Sequence, residues 1–501
     1  MTHSIFLNFI YVIYKKLIGW YEHSFSYALI DRAANGLKKS RIIMAGYSFF
    51  CVPCKISYAE GSLILKLCGY VAGKISDMLK WLYSALHVGD SFTAKVIKGS
   101  VLNYKGRFFE HAVGAFIFIA MVVPHQYWNN GYLLLGALGL LLVYGVQVAA
   151  GLRESFRFKD IPAAVIVFAF VAALSLFTGY GGSDSLRIFT LLASCILIAV
   201  MVQAAITSKE SLRLIVFALG AAVLFTALYG IIRFRLGLEV RPEHIDTAMS
   251  VGAARLYSTM DNPNNYAEFL LMILPIVVGA VFACKSDFWK LVAAGAALIG
   301  LLALVLTSSR SAYLSILISA AFFVFLANKR LVPVFAVLGL LALPLVPEAI
   351  IVRLMTIGRD TSSIFRIWIW EGSMEVIRGF WLFGIGMGPL AFALVYRAVA
   401  HELAMTAMHS HNLFMQIWIE LGIFGIIAFV VLMFTTIKGA AVTAVKAKDI
   451  EIKYYAIGAA SGLVGVLAMG FVEYIWFYPR VMLTFWIAIG ICAGLKKNRV
   501  V

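Results

Sequence analysis

Residues Ile423-Phe424-Gly425-Ile426-Ile427-Ala428-Phe429-Val430-Val431-Leu432-Met433-Phe434-Thr435-Thr436-Ile437 carry no charge, and Lys438 follows at once. Read back to Asn412, the apolar run holds one ionisable side chain, Glu420. A bilayer core about 30 Å thick needs roughly 20 apolar residues in a helix, because a backbone amide left unbonded in lipid costs several kcal/mol. The run from 412 to 437 is long enough to cross.

The rest of the chain has the same character. Of 501 residues, 62% are hydrophobic and 13% charged, with a mean hydropathy of +0.92, which excludes a water-soluble globule. The 42 Lys and Arg against 25 Asp and Glu give a net charge of +17. That charge is not gathered into one solvated domain, so no nucleic-acid partner is expected.

Twelve stretches meet the spanning requirement: 109–127, 131–150, 161–180, 186–206, 212–232, 266–284, 289–307, 311–328, 331–347, 412–437, 454–475 and 480–495. Pro124 interrupts the first, and Pro333 and Pro344 the ninth. The lysines test the orientation. Eleven precede residue 107, and the rest are Lys159, Lys209, Lys285, Lys290, Lys329, Lys438, Lys446, Lys448, Lys453, Lys496 and Lys497. With the N-terminus in the cytosol, all of them fall on the cytosolic side of twelve spans, as the positive-inside rule requires. The expected fold is therefore all-α, a polytopic membrane protein with about 12 transmembrane helices and both ends inside. Its parts are a cytosolic basic segment at 1–107, a transmembrane domain at 108–495 with a large outer loop at 348–411, and a cytosolic tail at 496–501.

The first 107 residues have neither a long apolar core nor the pattern of a signal peptide. Between Gly61 and Val88, Ile64, Leu67, Val71, Ile75, Met78, Leu79 and Leu82 recur at helical spacing with Lys66, Lys74 and Lys80 among them. A helix lying on the anionic inner leaflet and a helix packed on the loops both fit this pattern. Six cysteines make no disulfide framework. Cys51-x-x-Cys54 has no second pair, so no metal site is assigned.

Two outer connections are long, about 233–265 and 348–411. They hold Arg233, Arg235, Arg241, Arg255, Arg353, Arg359, Arg366, Arg378 and Arg397 without one lysine, and Arg310 opens the eighth span nearby. A guanidinium grips phosphate oxygens in pairs, so this surface points to an anionic ligand, a phosphate or diphosphate first. Topology selection also depletes lysine outside, and Glu239, Glu243, Asp246, Asp360, Glu371, Glu375 and Glu402 offer internal partners. Two or three arginines are expected on the ligand and the others in structure.

Phe365 to Arg378 suits an amphipathic interfacial helix. Gly384-Ile385-Gly386-Met387-Gly388-Pro389 lacks the Lys-Ser/Thr of a phosphate loop and reads as a turn. The loop ends in His409-Ser410-His411-Asn412. A histidine there can be neutral at pH 7 and accept a proton, and no third ligand makes the pair a metal site. Glu420 lies about 13.5 Å along the helix from His411 at ~1.5 Å per residue, deep enough to need an arginine or a backbone donor.

Four segments then occur in a telling order: Met260-Asp261-Asn262-Pro263-Asn264-Asn265-Tyr266-Ala267; Ser308-Ser309-Arg310-Ser311-Ala312; Phe365-Arg366-Ile367-Trp368 with Phe383-Gly384-Ile385-Gly386-Met387-Gly388; and His411-Asn412 followed by Gly422-Ile423-Phe424-Gly425. In this the chain, over roughly residues 110–495, resembles the bacterial O-antigen ligase and O-antigen polymerase superfamily. The resemblance implies an inverting, metal-independent glycan transfer, without cofactor, at the outer leaflet of the cytoplasmic (inner) membrane. It implies a glycan donor on undecaprenyl diphosphate and a glycan, lipid or protein acceptor. By matching position it implies His411 as general base with His409 as its rival, Arg310, Arg366 and Arg255 on the diphosphate, and Asn264, Asn412 and Glu420 in support. Asn264 fits a helix N-cap as well as a ligand contact. Residues 1–107 have no counterpart in the family pattern.

Ligase, polymerase and glycan-to-protein transferase differ in acceptor, which short motifs do not encode. From another class, a transporter or flippase for a lipid-linked or anionic substrate would share the spans. A transporter, however, places polar residues at the midplane, often in broken helices, whereas here they gather at the outer ends.

Overall fold

The computed structural model describes residues 63–91, 106–155, 158–238, 255–260, 262–342 and 361–497, with isolated positions between 351 and 358. In chain order its helices are α1 (Leu63–Ala85), α2 (Phe108–Val122), α3 (Gly131–Ala149), α4 (Ala163–Thr178), α5 (Ser183–Ala205), α6 (Lys209–Arg235), α7 (Pro263–Ala283), α8 (Asp287–Leu306), α9 (Arg310–Asn328), α10 (Val332–Ala342), α11 (Thr361–Phe380), α12 (Pro389–Tyr396), α13 (Leu413–Lys446), α14 (Ile450–Met469) and α15 (Pro479–Lys497). No strand occurs among the described residues, so the all-α expectation holds.

Nine of the expected spans fall on helices long and apolar enough to cross a membrane: α3, α5, α6, α7, α8, α9, α13, α14 and α15. The first and third fall on the shorter apolar helices α2 and α4, of 15 and 16 residues. The ninth falls on α10, which has 11 described residues, with Pro333 near its start. The finding is thus nine spanning-length helices among the described residues.

Helix α7 is the centre of the bundle, with 83% of its most apolar window buried, and its most extensive neighbour is α14. Lipid tails are as apolar as leucine, so such helices associate through close backbone approach at small residues. Gly458 and Gly462 of α14 supply that approach. A Cβ on Gly458 would stand 2.5 Å from the Pro275 carbonyl oxygen of α7, and one on Gly462 would run into the carbonyl of Met272. Arg480, fully buried at the start of α15, donates to the carbonyls of Val123 and Thr259, both at 2.6 Å, and to the Tyr478 hydroxyl at 2.7 Å. One guanidinium therefore ties the end of α2 and the 255–260 segment to α15.

Because successive helices alternate in direction, the bundle has two unlike ends. At one end lie the start of α6, the end of α7, the start of α8 and the α13–α14 turn, with Lys209, Lys285, Lys290, Lys446, Lys448 and Lys453. At the other lie the starts of α7, α9 and α13 and the turn after α14. The segment 361–411 caps this second end with a small core of its own, where Ile369, Val376, Ile385, Phe392 and Tyr396 pack on Ile419 of α13.

Helix α1 falls where the 61–88 pattern predicts a helix and packs on α3. Leu67, Val71, Ile75 and Met78 remain exposed. The Cys51–Cys54 pair, Arg241, Arg353, Arg359, Glu239, Glu243, Asp246 and Asp360 lie outside the described residues.

Candidate functional site

The capped end is organised by a residue the motifs do not contain, Glu473. It sits in the turn between α14 and α15 with its side chain 8% exposed. The apolar run suggests a span to residue 475, but α14 stops at Met469, and the turn brings the carboxylate under the 361–411 cap. Glu473 forms an ion pair with Arg366 of α11. Its Oε1 also accepts from Asn264 Nδ2 at 2.9 Å, and its Oε2 lies 3.4 Å from His411 Nδ1. Asn264 in turn accepts from Arg255 Nη2 at 2.9 Å, and Arg255 Nε donates to the Thr307 carbonyl at 3.0 Å. Three of the residues expected at the site (His411, Arg366 and Asn264) thus meet on one carboxylate, and a fourth, Arg255, joins them through Asn264.

Local sequence explains the convergence. Asn262 caps α7 by accepting from Asn264 N at 2.8 Å, and Pro263 occupies the first turn, where its missing N–H costs nothing. The cap role therefore belongs to Asn262, and the Asn264 side chain is left for Glu473 and Arg255. Asn412 caps α13 by accepting from Phe414 N and Met415 N at 2.9 and 3.0 Å, and it donates to the Phe471 carbonyl at 2.8 Å. Leu413 N donates to Gly470 O at 2.7 Å. These bonds lock the start of α13 to the Glu473 turn. His411, just before the cap, has φ 48°, and Ser258 and Ser308 at the same end have φ 54° and 55°. Left-handed backbone at non-glycine residues is costly, persists only where the surroundings enforce it, and gathers at functional sites.

The electrostatics follow from burial and charge. Burial alone would raise the Glu473 carboxyl, but Arg366 first, then His411 and His409, overcome it and hold it down at about 2. Glu473 is therefore ionised at neutral pH. Burial, and then the neighbouring His411, push His409 down to about 3, against the pull of Glu473. His409 is neutral, its Nδ1 accepts from His411 N at 3.2 Å, and its ring lies 4.1 Å from that of His411 and 4.4 Å from that of Phe477.

Glu420 is buried away from this cluster. It accepts from Gln416 Nε2 at 3.0 Å, Gly388 N at 3.2 Å and the Tyr474 hydroxyl at 3.4 Å, so a backbone donor is among its partners and no arginine is. The glycine-rich turn also finds its role here. Ile385 N and Gly386 N donate to the carbonyls of Ile419 and Glu420 at 2.8 and 3.0 Å, where α13 breaks at Gly422. Gly422 has φ 68° and ψ −168°, and a Cβ there would run into the Leu382 carbonyl. With its N–H groups bonded to α13, this turn is no phosphate cradle.

Arg310 opens α9, partly buried, three residues beyond the Thr307 that holds Arg255. Of the other arginines in the two long connections, Arg378 pairs with Glu375, and Arg233 lies over Tyr229 and donates to Leu238 O at 3.2 Å. Among the described residues no group of three or more His, Cys, Asp or Glu is arranged to hold a metal ion.

Residues 295–430 match the family model described as O-antigen ligase, a stretch that contains Arg310, Arg366, His411, Asn412 and Glu420 but not Asn264, Arg255 or Glu473. No curated protein matches the chain. Over that stretch the chain is similar to the O-antigen ligase family, and helices long and apolar enough to cross a membrane lie on both sides of it.

Proposed function

We propose that the protein transfers a glycan from undecaprenyl diphosphate to an acceptor hydroxyl at the outer leaflet of the cytoplasmic membrane, with twelve spans, both ends inside, and the Glu473 end facing out. The observation that carries this reading is the pairing of His411 with an ionised, buried Glu473 beside Arg366 and Arg255.

Glu473 is an acceptor only, so the His411 nitrogen facing it, Nδ1, carries the proton and Nε2 keeps its lone pair. Nε2 removes the proton from the acceptor hydroxyl as its oxygen bonds to the anomeric carbon. The bond from that carbon to the diphosphate oxygen breaks on the opposite face, and the diphosphate leaves with the electron pair. The configuration inverts. Glu473 fixes the ring and offsets the imidazolium charge as it forms, much as a triad carboxylate does. Arg366 uses one of its five N–H donors on Glu473 and offers others to the leaving group, with Arg255 and Arg310 at the same end. Diphosphate is already a good leaving group, so charge binding and a base suffice without a metal.

The test is reconstitution into vesicles with a lipid-diphosphate glycan, followed by mass spectrometry of the products. The expected outcome is a new glycan conjugate, insensitive to EDTA and absent with His411→Ala. Chain lengthening identifies a polymerase and a lipid or protein conjugate a ligase. Unchanged donor moved between leaflets identifies a transporter and defeats the proposal.

A further inference from the structure

A cavity of about 700 Å³ opens at the same end of the bundle as Glu473, between the α2–α3 turn and the start of α5. Its walls include Trp128, Asn129, Asn130, Ser183, Arg187 and Thr190, with Leu134 and Leu186 between them. Three properties define what it can hold. First, it adds no net charge, since its one cation, Arg187, is paired with Asp184, with Nη2 to Oδ1 at 2.7 Å and Nε to Oδ1 at 3.1 Å. Second, it has polar groups to spare. The buried indole N–H of Trp128 has no hydrogen-bond partner among the described residues, and the side chain of Asn130, at the start of α3, makes no cap bond to the helix. Third, its aromatic wall is fixed, because Trp128 packs edge-on to Tyr132 at 5.6 Å and under the Arg480 guanidinium at 5.4 Å.

A fixed aromatic surface, planar amides with both donor and acceptor, hydroxyls and small apolar patches without net charge complement an uncharged ligand with many hydroxyls and apolar C–H faces. An anionic headgroup would have to compete with Asp184 for the single Arg187, and an acyl chain would strand the Asn130 amide and the indole N–H. The cavity is also connected to the reaction end. Tyr478, which accepts from the Arg480 guanidinium beneath Trp128, follows Phe477, whose ring touches His409. Asp184, which holds Arg187, accepts from Leu390 N at 3.2 Å and so joins the groove to the segment after the glycine turn.

We propose that this groove is a saccharide subsite that holds sugar residues of the glycan at a distance from the reacting bond. The choice of a glycan rests on the transfer reading above. Saccharide engaged there adds binding energy at a remote point and leaves the chemical step to His411.

The experiment uses the full chain in nanodiscs and, as probe, the fluorescently labelled oligosaccharide that mild acid releases from the lipid-diphosphate pool of the source cells. Saturable binding is expected for the wild type and for His411→Ala. The double variant Trp128→Phe/Asn130→Ala keeps a ring in place while removing the indole N–H and the amide, and its binding should be at least tenfold weaker at an unchanged melting temperature. In transfer assays the same variant should raise KM for a long-glycan donor and leave kcat and the KM for a single-sugar donor nearly unchanged. Absence of saccharide binding by the wild type, or equal binding by the double variant, overturns the subsite. Saccharide binding without any transfer leaves the groove standing and defeats the transfer reading instead.

Discussion

At one end of the bundle Arg213 grips Glu451 with two bonds of 2.6 Å, and Lys209 pairs with Asp449, at the edge of an apolar groove of about 840 Å³ lined by Phe217, Val277, Trp289 and Ala296. At the other end Arg366 and Glu473 form a pair of the same chemical type. The difference is solvent. Both glutamates are buried, Glu451 at 5% and Glu473 at 8% exposed, but Arg213 is 48% exposed against 20% for Arg366, and only the Glu473 pair is extended by Asn264 and His411. Exposed pairs contribute little, while a buried charge that loses its partner is costly. Of these two pairs, the one proposed as part of the reaction site is the one whose arginine is mostly buried and whose carboxylate is shared.

Equivalent substitutions at the two ends should separate these roles. Glu473→Gln keeps the shape of the cluster and removes the charge that orients His411. Transfer is expected to fall about 100-fold or more, within the range by which a general base accelerates a reaction, while Glu451→Gln at the other end changes the rate by no more than about twofold. Arg366→Lys loses planar, paired contacts and is expected to lower kcat about tenfold, whereas Arg213→Lys leaves it unchanged. Equal losses at both ends in either pair would erase the contrast.

Two further measurements bear on stability. Gly458→Val forces a branched side chain onto the α7 backbone and should cost about 1–3 kcal/mol, read as a lower melting temperature in detergent. The site end should also respond to acid. The folded-state value of His409, about 3, lies below its ordinary 6.5, so the unfolded chain binds the proton more readily and stability falls as pH drops below 6.5. Glu473, held at about 2 against an ordinary 4.5, adds a loss that begins only as pH falls below 4.5. Between pH 6.5 and 4.5 the melting temperature of His409→Gln should therefore vary less with pH than that of the wild type. The same slope in both would detach His409 from the acid response.

The sequence makes the frame readable because a spanning helix announces itself in some twenty apolar residues and its lysines tell one end from the other. His411, Arg366, Arg255 and Asn264 could be picked out because charged and amide side chains stand out at the ends of such runs. Glu473 could not. Phe471, Val472, Tyr474, Ile475, Trp476 and Phe477 surround it, so the turn merges with the apolar run before it, and only the end of α14 at Met469 exposes the carboxylate as a site residue. The break at Gly422 was equally hidden, since a glycine in an apolar helix is ordinary until the 381–388 segment is seen to bond to it. Short signals of this kind depend on contacts between segments far apart in the chain, and local pattern does not carry them.

The central claim is that His411, held by Glu473, removes the acceptor proton. The most direct measurement is the single-turnover rate of glycan transfer by purified His411→Ala in vesicles, at saturating lipid-diphosphate donor and with folding confirmed by an unchanged melting temperature. The account predicts that donor still binds and transfer is lost. Transfer at the wild-type rate in that variant would contradict it.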